Sequence, residues 1–468
     1  MFSIQGPEAR FCDGTTRREM LKVGGLGMTG LGLPHLISNS AAAAPSEAKK
    51  RSSSFGKAKN CIILFLSGGA AHLDTFDPKP ETPAEIRGEF GTIQTALDGV
   101  RVSEYLPKTA KWLDRVVLVR SMTHTSSGHA RGGYIMFTGH EYQGSGSDAN
   151  FMNRKDSPHL GAALAKVSPG EGPMFPFILV PRRLDAGSGR RAGQWGGCLG
   201  AKYDPMATGG NPNEDNFKLD HLPLVANRSS ELLIRRKRLV DQINTQNRYL
   251  QESDLGRTLS QNQQKALDVI SSKAVRRAVD LSIADKKVRE AYGRNLFGQS
   301  TLLGRRLLEA GTRLVQVNWL RTQGKQGYAW DSHRLNFTAL RDDLIPPFDQ
   351  AFTALMNDLE ETGQLDETLV VVAGEFGRTP KVTLSTAGRE HWPNCFSVML
   401  AGAGIRGGQV YGASDRTGAY PGDLPVSPAE LTATIYHCLG VDPETETHDQ
   451  SGRPFYLTLG SPVEALLT

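Results

Sequence analysis

The stretch Glu375-Phe-Gly-Arg-Thr-Pro380 directly follows the apolar run at residues 369–373 after a single Gly. This run is short and rich in β-branched residues, which is typical of a buried strand. In open α/β sheets, ligands bind beyond the carboxyl ends of the strands. Glu375, with Arg378 and then His391 downstream, is therefore a candidate for such a site. A simpler interpretation is a charged turn in which Glu375 pairs with Arg378. Further ligand-type residues elsewhere in the chain would favour the ligand site over this turn.

Three further strand-like runs are each followed by a loop with acidic, His or hydroxyl side chains. The runs lie at residues 61–66, 116–119 and 312–319, and the loops contain His72 and Asp74, then Thr125, Ser127, His129 and Arg131, and then Asp331 and His333. Because the carboxyl ends of parallel strands meet at one edge of a sheet, these side chains are expected to share a site with Glu375 and His391. Imidazole and carboxylate ligands together suit Zn, Mn or Fe better than Ca.

The strand-like runs alternate with predicted helices. Helices are predicted at residues 298–310, 346–362 and 427–438. This alternation favours a mostly parallel sheet with helices on both faces, which is a three-layer α/β/α sandwich. Residues 226–297 are charged and Gln-rich, and they are predicted to form a mainly helical insertion.

The amino-terminal segment has the features of a twin-arginine export signal. Arg17-Arg18 precedes a weakly hydrophobic, Gly-rich stretch at residues 23–37, and small residues follow. Residues 1–44 are therefore predicted to be a signal peptide read by the twin-arginine translocase, and residues 45–58 a flexible lead-in. No later stretch reaches the roughly 18 to 20 apolar residues that a membrane-spanning helix needs. The mature protein is expected in the periplasm or outside the cell.

Charge and cysteine content exclude two other classes of site. The formal net charge of +5 is small for 468 residues, and no run of Lys and Arg alternates with aromatic residues. Nucleic acid is therefore not an expected partner. The five cysteines form no CxxC pair and no metal-ligand spacing. The expected metal site therefore depends on His and carboxylate side chains.

Several long motifs together resemble one known family. They are the twin-arginine leader, Gly68-Gly-Ala-Ala-His-Leu-Asp-Thr-Phe-Asp-Pro-Lys-Pro80, Trp330-Asp-Ser-His333, Gly374-Glu-Phe-Gly-Arg-Thr-Pro380 and Gly388-Arg-Glu-His-Trp-Pro393. The chain resembles the bacterial domain-of-unknown-function family 1501, which is grouped with the alkaline phosphatase and sulfatase superfamily. The resemblance implies an alkaline-phosphatase-like domain over residues 59–468 and a metal-assisted hydrolase ancestry, but it supplies no substrate.

The resemblance also implies a set of ligands for a divalent metal. These are His72, Asp74, Asp331, His333, Glu375 and His391. Phosphatases of the superfamily carry Asp-His where this chain has Glu375-Phe376, so one His ligand is missing. The resemblance therefore implies either one ion, or two ions with the second site completed by His72, His124 or His129.

The resemblance implies two alternative hydroxyl groups as the nucleophile. The pattern of the metal-dependent phosphomutases selects Thr125, whereas the sulfatase pattern selects Ser127, with Arg131 as its Arg. His129 replaces the Pro or Ala of the sulfatase pattern, so maturation to formylglycine is not expected. Neighbouring His residues or a bound metal would activate either hydroxyl. Arg131 or Arg378 would hold the anionic group.

The sequence thus predicts an exported, metal-dependent hydrolase of phosphate or sulfate esters. Its substrate would be a small anionic ester or a sulfated or phosphorylated polymer. The alternative is a non-catalytic, exported binding or structural protein that keeps the fold. The missing His and the mismatched nucleophile motif favour this alternative, whereas the density of ligand-type residues after the strands favours the enzyme.

Overall fold

The structure is a computed structural model that describes most of the chain. The described residues are 52–144, 148–186, 189–219, 272–321 and 329–468, with the isolated positions Arg235, Arg238, Leu239, Gln242 and Val269. The predicted signal peptide at residues 1–44 lies outside them. So do half of the predicted lead-in and much of the predicted helical insertion.

An eight-stranded sheet forms the centre of the fold. In chain order its strands are β1 Asn60–Phe65, β2 Val116–Met122, β3 Phe177–Val180, β4 Met206–Ala207, β5 Leu314–Asn318, β6 Thr368–Ala373, β7 Phe396–Gly402 and β8 Gln409–Tyr411. Their order across the sheet is β8-β2-β7-β6-β1-β5-β3-β4. Strand β7 runs antiparallel to both of its neighbours, β2 and β6, and the other neighbouring pairs are parallel. The prediction of a mostly parallel sheet is confirmed.

Helices cover both faces of this sheet. The α-helices of the described residues are α1 Ala84–Arg87, α2 His129–Thr138, α3 Leu160–Val167, α4 Lys273–Val279, α5 Lys286–Tyr292, α6 Leu296–Glu309, α7 Asn336–Ala339, α8 Ile345–Glu361 and α9 Pro428–Cys438. Helices α4 and α5 lie within the predicted insertion. Helix α9 begins after Ser427, which forms a capping box with Glu430. Within the ranges given above, no helix is both long enough and apolar enough to cross a membrane.

Alternating side chains of the strands supply two separate apolar cores. On β1, Ile62 and Leu64 belong to one core, while Ile63 and Phe65 belong to the other. This follows from the strand geometry, because successive side chains point to opposite faces of a sheet. Helices α5, α6 and α8 pack on the first face, and α2, α3 and α9 pack on the second. The protein is therefore an α/β/α sandwich, as predicted.

The central strands bring three loops to the same edge of the sheet. Strand β1 pairs in parallel with β6 on one side and with β5 on the other, so that Phe65 lies beside Ala373 and Asn318. The loops that leave these three strands therefore begin next to one another. They carry Gly68, Glu375 and Asp331, respectively.

Two glycines allow the loop after β1 to pack tightly against the other two loops. Gly68 has a φ of 112° and Gly69 a φ of 84°, which is a region that favours glycine. A Cβ atom on Gly68 would overlap the backbone nitrogen of Asp331 and lie 2.6 Å from the carbonyl carbon of Trp330. One on Gly69 would lie 2.7 Å from the ring of Phe376. The three loops therefore meet with almost no space between their backbones.

We expect Gly68→Ala to destabilise the fold by about 2 to 5 kcal/mol, because backbone strain of ~1–2 kcal/mol adds to ~1–3 kcal/mol of overpacking. Gly99→Ala is the matched control, since Gly99 also has a positive φ of 75° but a Cβ there would meet nothing within 4 Å. The control substitution should lower the free energy of unfolding by only about 1–2 kcal/mol. Denaturant unfolding of both variants measures the difference, and equal losses would contradict the close packing at Gly68.

Candidate metal centre

Three imidazoles and one carboxylate converge at the edge of the sheet. Ligand-type atoms of His129, Asp331, His333 and His391 all lie within 4.8 Å of one another. The Oδ1 atom of Asp331 lies 2.9 Å from Nε2 of His333 and 3.1 Å from Nε2 of both His129 and His391. The Nε2 atoms of His333 and His391 are 2.9 Å apart. The donor set is therefore three imidazole nitrogens and one carboxylate oxygen.

Separate segments of the chain supply these side chains. His129 is the first residue of α2, and Asp331 and His333 lie in the loop between β5 and α7. His391 lies in the short strand His391–Trp392, which pairs antiparallel with Gly377–Arg378 just beyond β6. This small ribbon returns the chain to the sheet edge and so brings His391 to the other three residues.

The outer nitrogen of each imidazole has a fixed acceptor. Nδ1 of His129 lies 2.7 Å from Oε1 of Glu375, and Nδ1 of His391 lies 2.7 Å from the carbonyl oxygen of Ser127. Nδ1 of His333 bonds to a carboxylate oxygen of Glu390. Carboxylates and carbonyls only accept, so each Nδ1 donates its proton. When Nε2 carries no proton, an imidazole in this tautomer directs its Nε2 lone pair toward one point beside the Asp331 carboxylate.

This arrangement fits a bound divalent cation. Bare lone pairs and a carboxylate oxygen at these separations repel one another unless a cation or protons lie between them. Three imidazole nitrogens with one carboxylate oxygen are ligands that Zn²⁺ takes in tetrahedral sites. Hydrogen bonds from the far nitrogen of each ligating His to a carboxylate or carbonyl are the usual surroundings of such ligands.

The electrostatics of the cluster also favour a cation. Burial would raise the pKa of Asp331, but hydrogen bonds with His129 and His391 and the charge of Arg378 hold it well below its usual range. Burial would likewise raise the pKa of Glu375, but its hydrogen bond with His129 lowers it. Burial disfavours the charged form of His129, yet its bonds to these two carboxylates outweigh burial and raise the pKa of His129 to about 9. Both carboxylates are therefore ionised at neutral pH.

Comparison with known proteins identifies the family. Residues 58–467 match the family described as protein of unknown function (DUF1501). The chain belongs to this family. The assignment made from the sequence motifs is thereby confirmed. No curated protein matches the sequence.

Several solved structures resemble this DUF1501 protein weakly. The phosphonate monoester hydrolase SpPMH from Silicibacter pomeroyi is 13% identical, with a TM-score of 0.38 over 88% of this chain and 76% of that chain. The lipoteichoic acid synthase LtaP from Listeria monocytogenes is 11% identical, with a TM-score of 0.38 over 86% and 76%. The PsFucS1 sulfatase from Pseudoalteromonas sp. is 11% identical, with a TM-score of 0.37 over 82% and 68%. Likeness at this level carries no conclusion about activity.

Arg378 has a role at the site that differs from the predicted one. Its side chain is 0% exposed, and Nη2 lies 2.6 Å from Oδ1 of Asp331. Nε lies 3.0 Å from the carbonyl oxygen of Gly69, Nη1 lies 3.1 Å from that of Arg389, and Nη2 also bonds to that of Gly68. Because the guanidinium is fully buried, it cannot contact a dissolved anion. It positions Asp331 instead of holding the anionic group of a substrate.

The structure does not bring the predicted ligands His72 and Asp74 into the cluster. Arg389 binds both carboxylate oxygens of Asp74, at 2.7 and 2.8 Å, and Nδ2 of Asn336 lies 2.8 Å from one of them. Nε2 of His72 lies 2.8 Å from the carbonyl oxygen of Gly418. Both residues are buried. The carboxylate of Asp74 and Nε2 of His72 therefore stabilise the loop after β1.

Glu375 lies behind the cluster instead of within it. Its Oε1 atom accepts from the backbone nitrogen of Gly68 at 2.8 Å and from His129. The side chain is buried, and it orients the His129 ring as an outer partner does. The sequence pattern placed His129 beside the candidate nucleophiles or in a second metal site, and Glu390 was not among the predicted site residues. A carboxylate directly before His391 was a usable signal for Glu390, but its pairing with His333 depends on the tertiary fold.

The remaining predicted residues surround the start of α2. Thr125 and Ser127 are exposed in the loop between β2 and α2, and the carbonyl of Ser127 contacts His391. Arg131 follows His129 by two helical positions, about 200° around the helix. Its guanidinium carbon lies 5.8 Å from the centre of the Tyr142 ring. Arg131 therefore points away from the cluster, whereas Ser127 lies beside it.

We expect Asp74→Asn to lower the stability of the protein by about 3 to 5 kcal/mol, because Arg389 would remain buried without its partner charge. The metal content of the folded protein should not change. Asp185→Asn is the control, since the Arg182–Asp185 pair is exposed and should contribute no more than ~1 kcal/mol. Thermal unfolding with elemental analysis measures both quantities, and loss of metal from folded Asp74→Asn would instead show that Asp74 is a ligand.

Proposed function

We propose that this DUF1501 protein is an exported, metal-dependent hydrolase of phosphate or sulfate esters. The convergence of three Nε2 atoms and a carboxylate oxygen on one point carries the proposal. His129, Asp331, His333 and His391 would hold the ion, with Zn²⁺ best matched and Mn or Fe as the other candidates. The side chains of Asp331 and His333 are 38% and 36% exposed. An ion at this place would therefore be accessible to a substrate.

The ion, when bound, would polarise an ester oxygen as a Lewis acid. The residues of the chain would keep the ligands in place. Glu375 and Glu390 accept the Nδ1 protons of His129 and His333, which orients both rings toward the ion. Arg378 holds Asp331 in position.

A hydroxyl on the loop before α2 would act as the nucleophile in a covalent route. Ser127 is better supported than Thr125, because its own carbonyl is tied to His391. Its oxygen would bond to the phosphorus or sulfur atom, and the alcohol of the ester would leave with a proton. Water would then release the acid from Ser127. In a single-displacement route, water would attack the ester directly and neither hydroxyl would be needed.

The proposed substrates lie outside the cytoplasm. They are a small anionic ester or a sulfated or phosphorylated polymer, and nucleic acid is not among them. The twin-arginine pair at residues 17 and 18 supports export by the twin-arginine translocase. The periplasm or the cell exterior is therefore the proposed location.

The alternative is a non-catalytic, exported binding or structural protein with a bound metal. One observation favours it: four protein side chains already complete a tetrahedral set. Structural zinc sites are closed in this way, whereas catalytic sites keep one position for water or substrate. Metal binding is common to both proposals, and only activity separates them.

We expect the purified protein to bind a divalent metal tightly, and His391→Ala to weaken binding by at least about a hundredfold. A side chain that binds the ion directly should matter more than the outer partners, whose loss lowers metal affinity roughly 10–100-fold. His448→Ala is the control, because His448 is exposed in another part of the fold. Elemental analysis and competition with a chelator measure the effect, and a wild-type protein without metal affinity would refute both proposals.

We expect the metal-loaded protein to hydrolyse aryl phosphate or aryl sulfate esters, and His391→Ala to lose this activity. Ser127→Ala and Thr125→Ala in the same assay identify the nucleophile, and activity retained by both variants would indicate the single-displacement route. A metal-loaded wild type that hydrolyses no ester, or activity unaffected by His391→Ala, would favour the non-catalytic alternative.

We expect Arg17→Lys together with Arg18→Lys to prevent export, because the twin-arginine pathway reads the arginine pair. The variant should remain unprocessed in the cytoplasmic fraction of the cell. The control is Lys49→Arg with Lys50→Arg, which also exchanges two basic residues but lies in the lead-in. Fractionation of cells measures the outcome, and normal export of the first variant would rule out this pathway.

A further inference from the structure

We infer that the cluster binds a single ion. Phe376 is a positioning residue that fixes the orientation of the His129 and His391 rings. It also occupies the space next to these rings that a second ion would need. The inference rests on the proposed metal site. It deepens that proposal, because the number of ions decides how an ester can be activated.

The ring of Phe376 packs against two of the imidazoles. Its side chain is 1% exposed, and its ring centre lies 4.6 Å from that of His391 and 5.1 Å from that of His129. It is inclined by 36° to each of these rings. The two imidazoles in turn lie 4.3 Å apart. The Phe376 ring therefore fills the volume next to both imidazoles with hydrocarbon.

Glycines pack closely against both edges of the Phe376 ring. A Cβ atom on Gly69 would lie 2.7 Å from one edge of the Phe376 ring, and one on Gly132 would lie 3.0 Å from the other. The guanidinium carbon of Arg378 lies 5.9 Å from the centre of the same ring. The ring is closely packed between the backbones of Gly69 and Gly132. It can therefore transmit a fixed orientation to both imidazoles.

Few of the ligand atoms available for a second ion lack a hydrogen-bond partner, and these are Nδ1 of His72 and Oε2 of Glu375. Phe376 offers no ligand atom, and both nitrogens of His124 are used, since Nε2 lies 2.6 Å from the carbonyl oxygen of Glu375 and Nδ1 accepts from Ser126. The carboxylate of Asp74 is occupied by Arg389. In the ranges that the structure describes, the one group of three or more His, Cys, Asp or Glu side chains with ligand atoms within 4.8 Å of one another is the His and Asp cluster.

A single ion has a mechanistic consequence. Two ions about 3.5–4 Å apart can stabilise both the attacking and the leaving oxygen of an in-line displacement, whereas one ion assists one of them. Side chains of the protein or water must then stabilise the other oxygen. This makes the exposed loop with Thr125 and Ser127 a more important part of the site than a two-ion site would require.

The first test is the stoichiometry of the wild-type protein. Equilibrium dialysis against Zn²⁺ or Co²⁺, followed by elemental analysis, should give one tightly bound ion per chain. Two tightly bound ions per chain would overturn the inference while leaving the proposed hydrolase intact. If no ion binds, the proposed function itself fails, so the two failures are distinguishable.

The second test compares Phe376→Leu with Phe352→Leu. Phe352 is also 1% exposed and also stacks on another ring, that of Phe348, but it lies in α8 away from the cluster. We expect Phe376→Leu to weaken Co²⁺ binding by about tenfold or more, as loss of an outer contact does, and to alter the visible spectrum of bound Co²⁺. The control should change neither.

Stability must be measured alongside, because both substitutions remove buried ring contacts. Phe376→Met provides a second variant if Phe376→Leu does not fold. Wild-type Co²⁺ affinity and spectrum in folded Phe376→Leu or Phe376→Met would overturn the positioning role of Phe376. Equal weakening in Phe352→Leu would do the same, since it would show a general effect of stability.

Discussion

The site depends on one buried charge, the guanidinium of Arg378. An unpaired charge in a protein interior costs several kcal/mol, so a buried Arg must find both a counter-charge and acceptors for its donors. Arg378 finds the counter-charge in Asp331 and the acceptors in the carbonyls of Gly68, Gly69 and Arg389. This requirement ties the loops after β1 and β5 to the ribbon after β6. The position of Asp331, on which the three imidazoles converge, follows from it.

A second buried arginine explains why two similar carboxylates have different roles. Arg389 occupies both oxygens of Asp74, and that pair is 0% exposed. Asp331 also pairs with an arginine, but its side chain stays 38% exposed and its Oδ1 atom faces imidazole nitrogens as well. The first carboxylate is therefore saturated by the protein. The second retains the capacity to bind a cation.

Most of the fold and part of the site could be predicted from local patterns. Runs such as 369–373 identify buried strands, and their alternation with helices leads to a mostly parallel sheet. In such a sheet, side chains that follow different strands meet at one edge. That rule placed His391, which follows β6, near Asp331 and His333, which follow β5, and the structure brings these three side chains together.

The sequence by itself therefore determined the family, the α/β/α sandwich and the edge at which ligand-type side chains gather, because strand composition and helix periodicity are local properties. Only the tertiary structure decided which of these side chains face the common point. In the structure His129 belongs to the cluster, whereas Glu375 lies behind it. Arg378 is buried, and Asp74 pairs with Arg389. The physical reason is that ligand geometry depends on distances of about 3 Å between distant segments and on which buried charge finds which partner. Neither quantity is encoded in the spacing of residues along the chain.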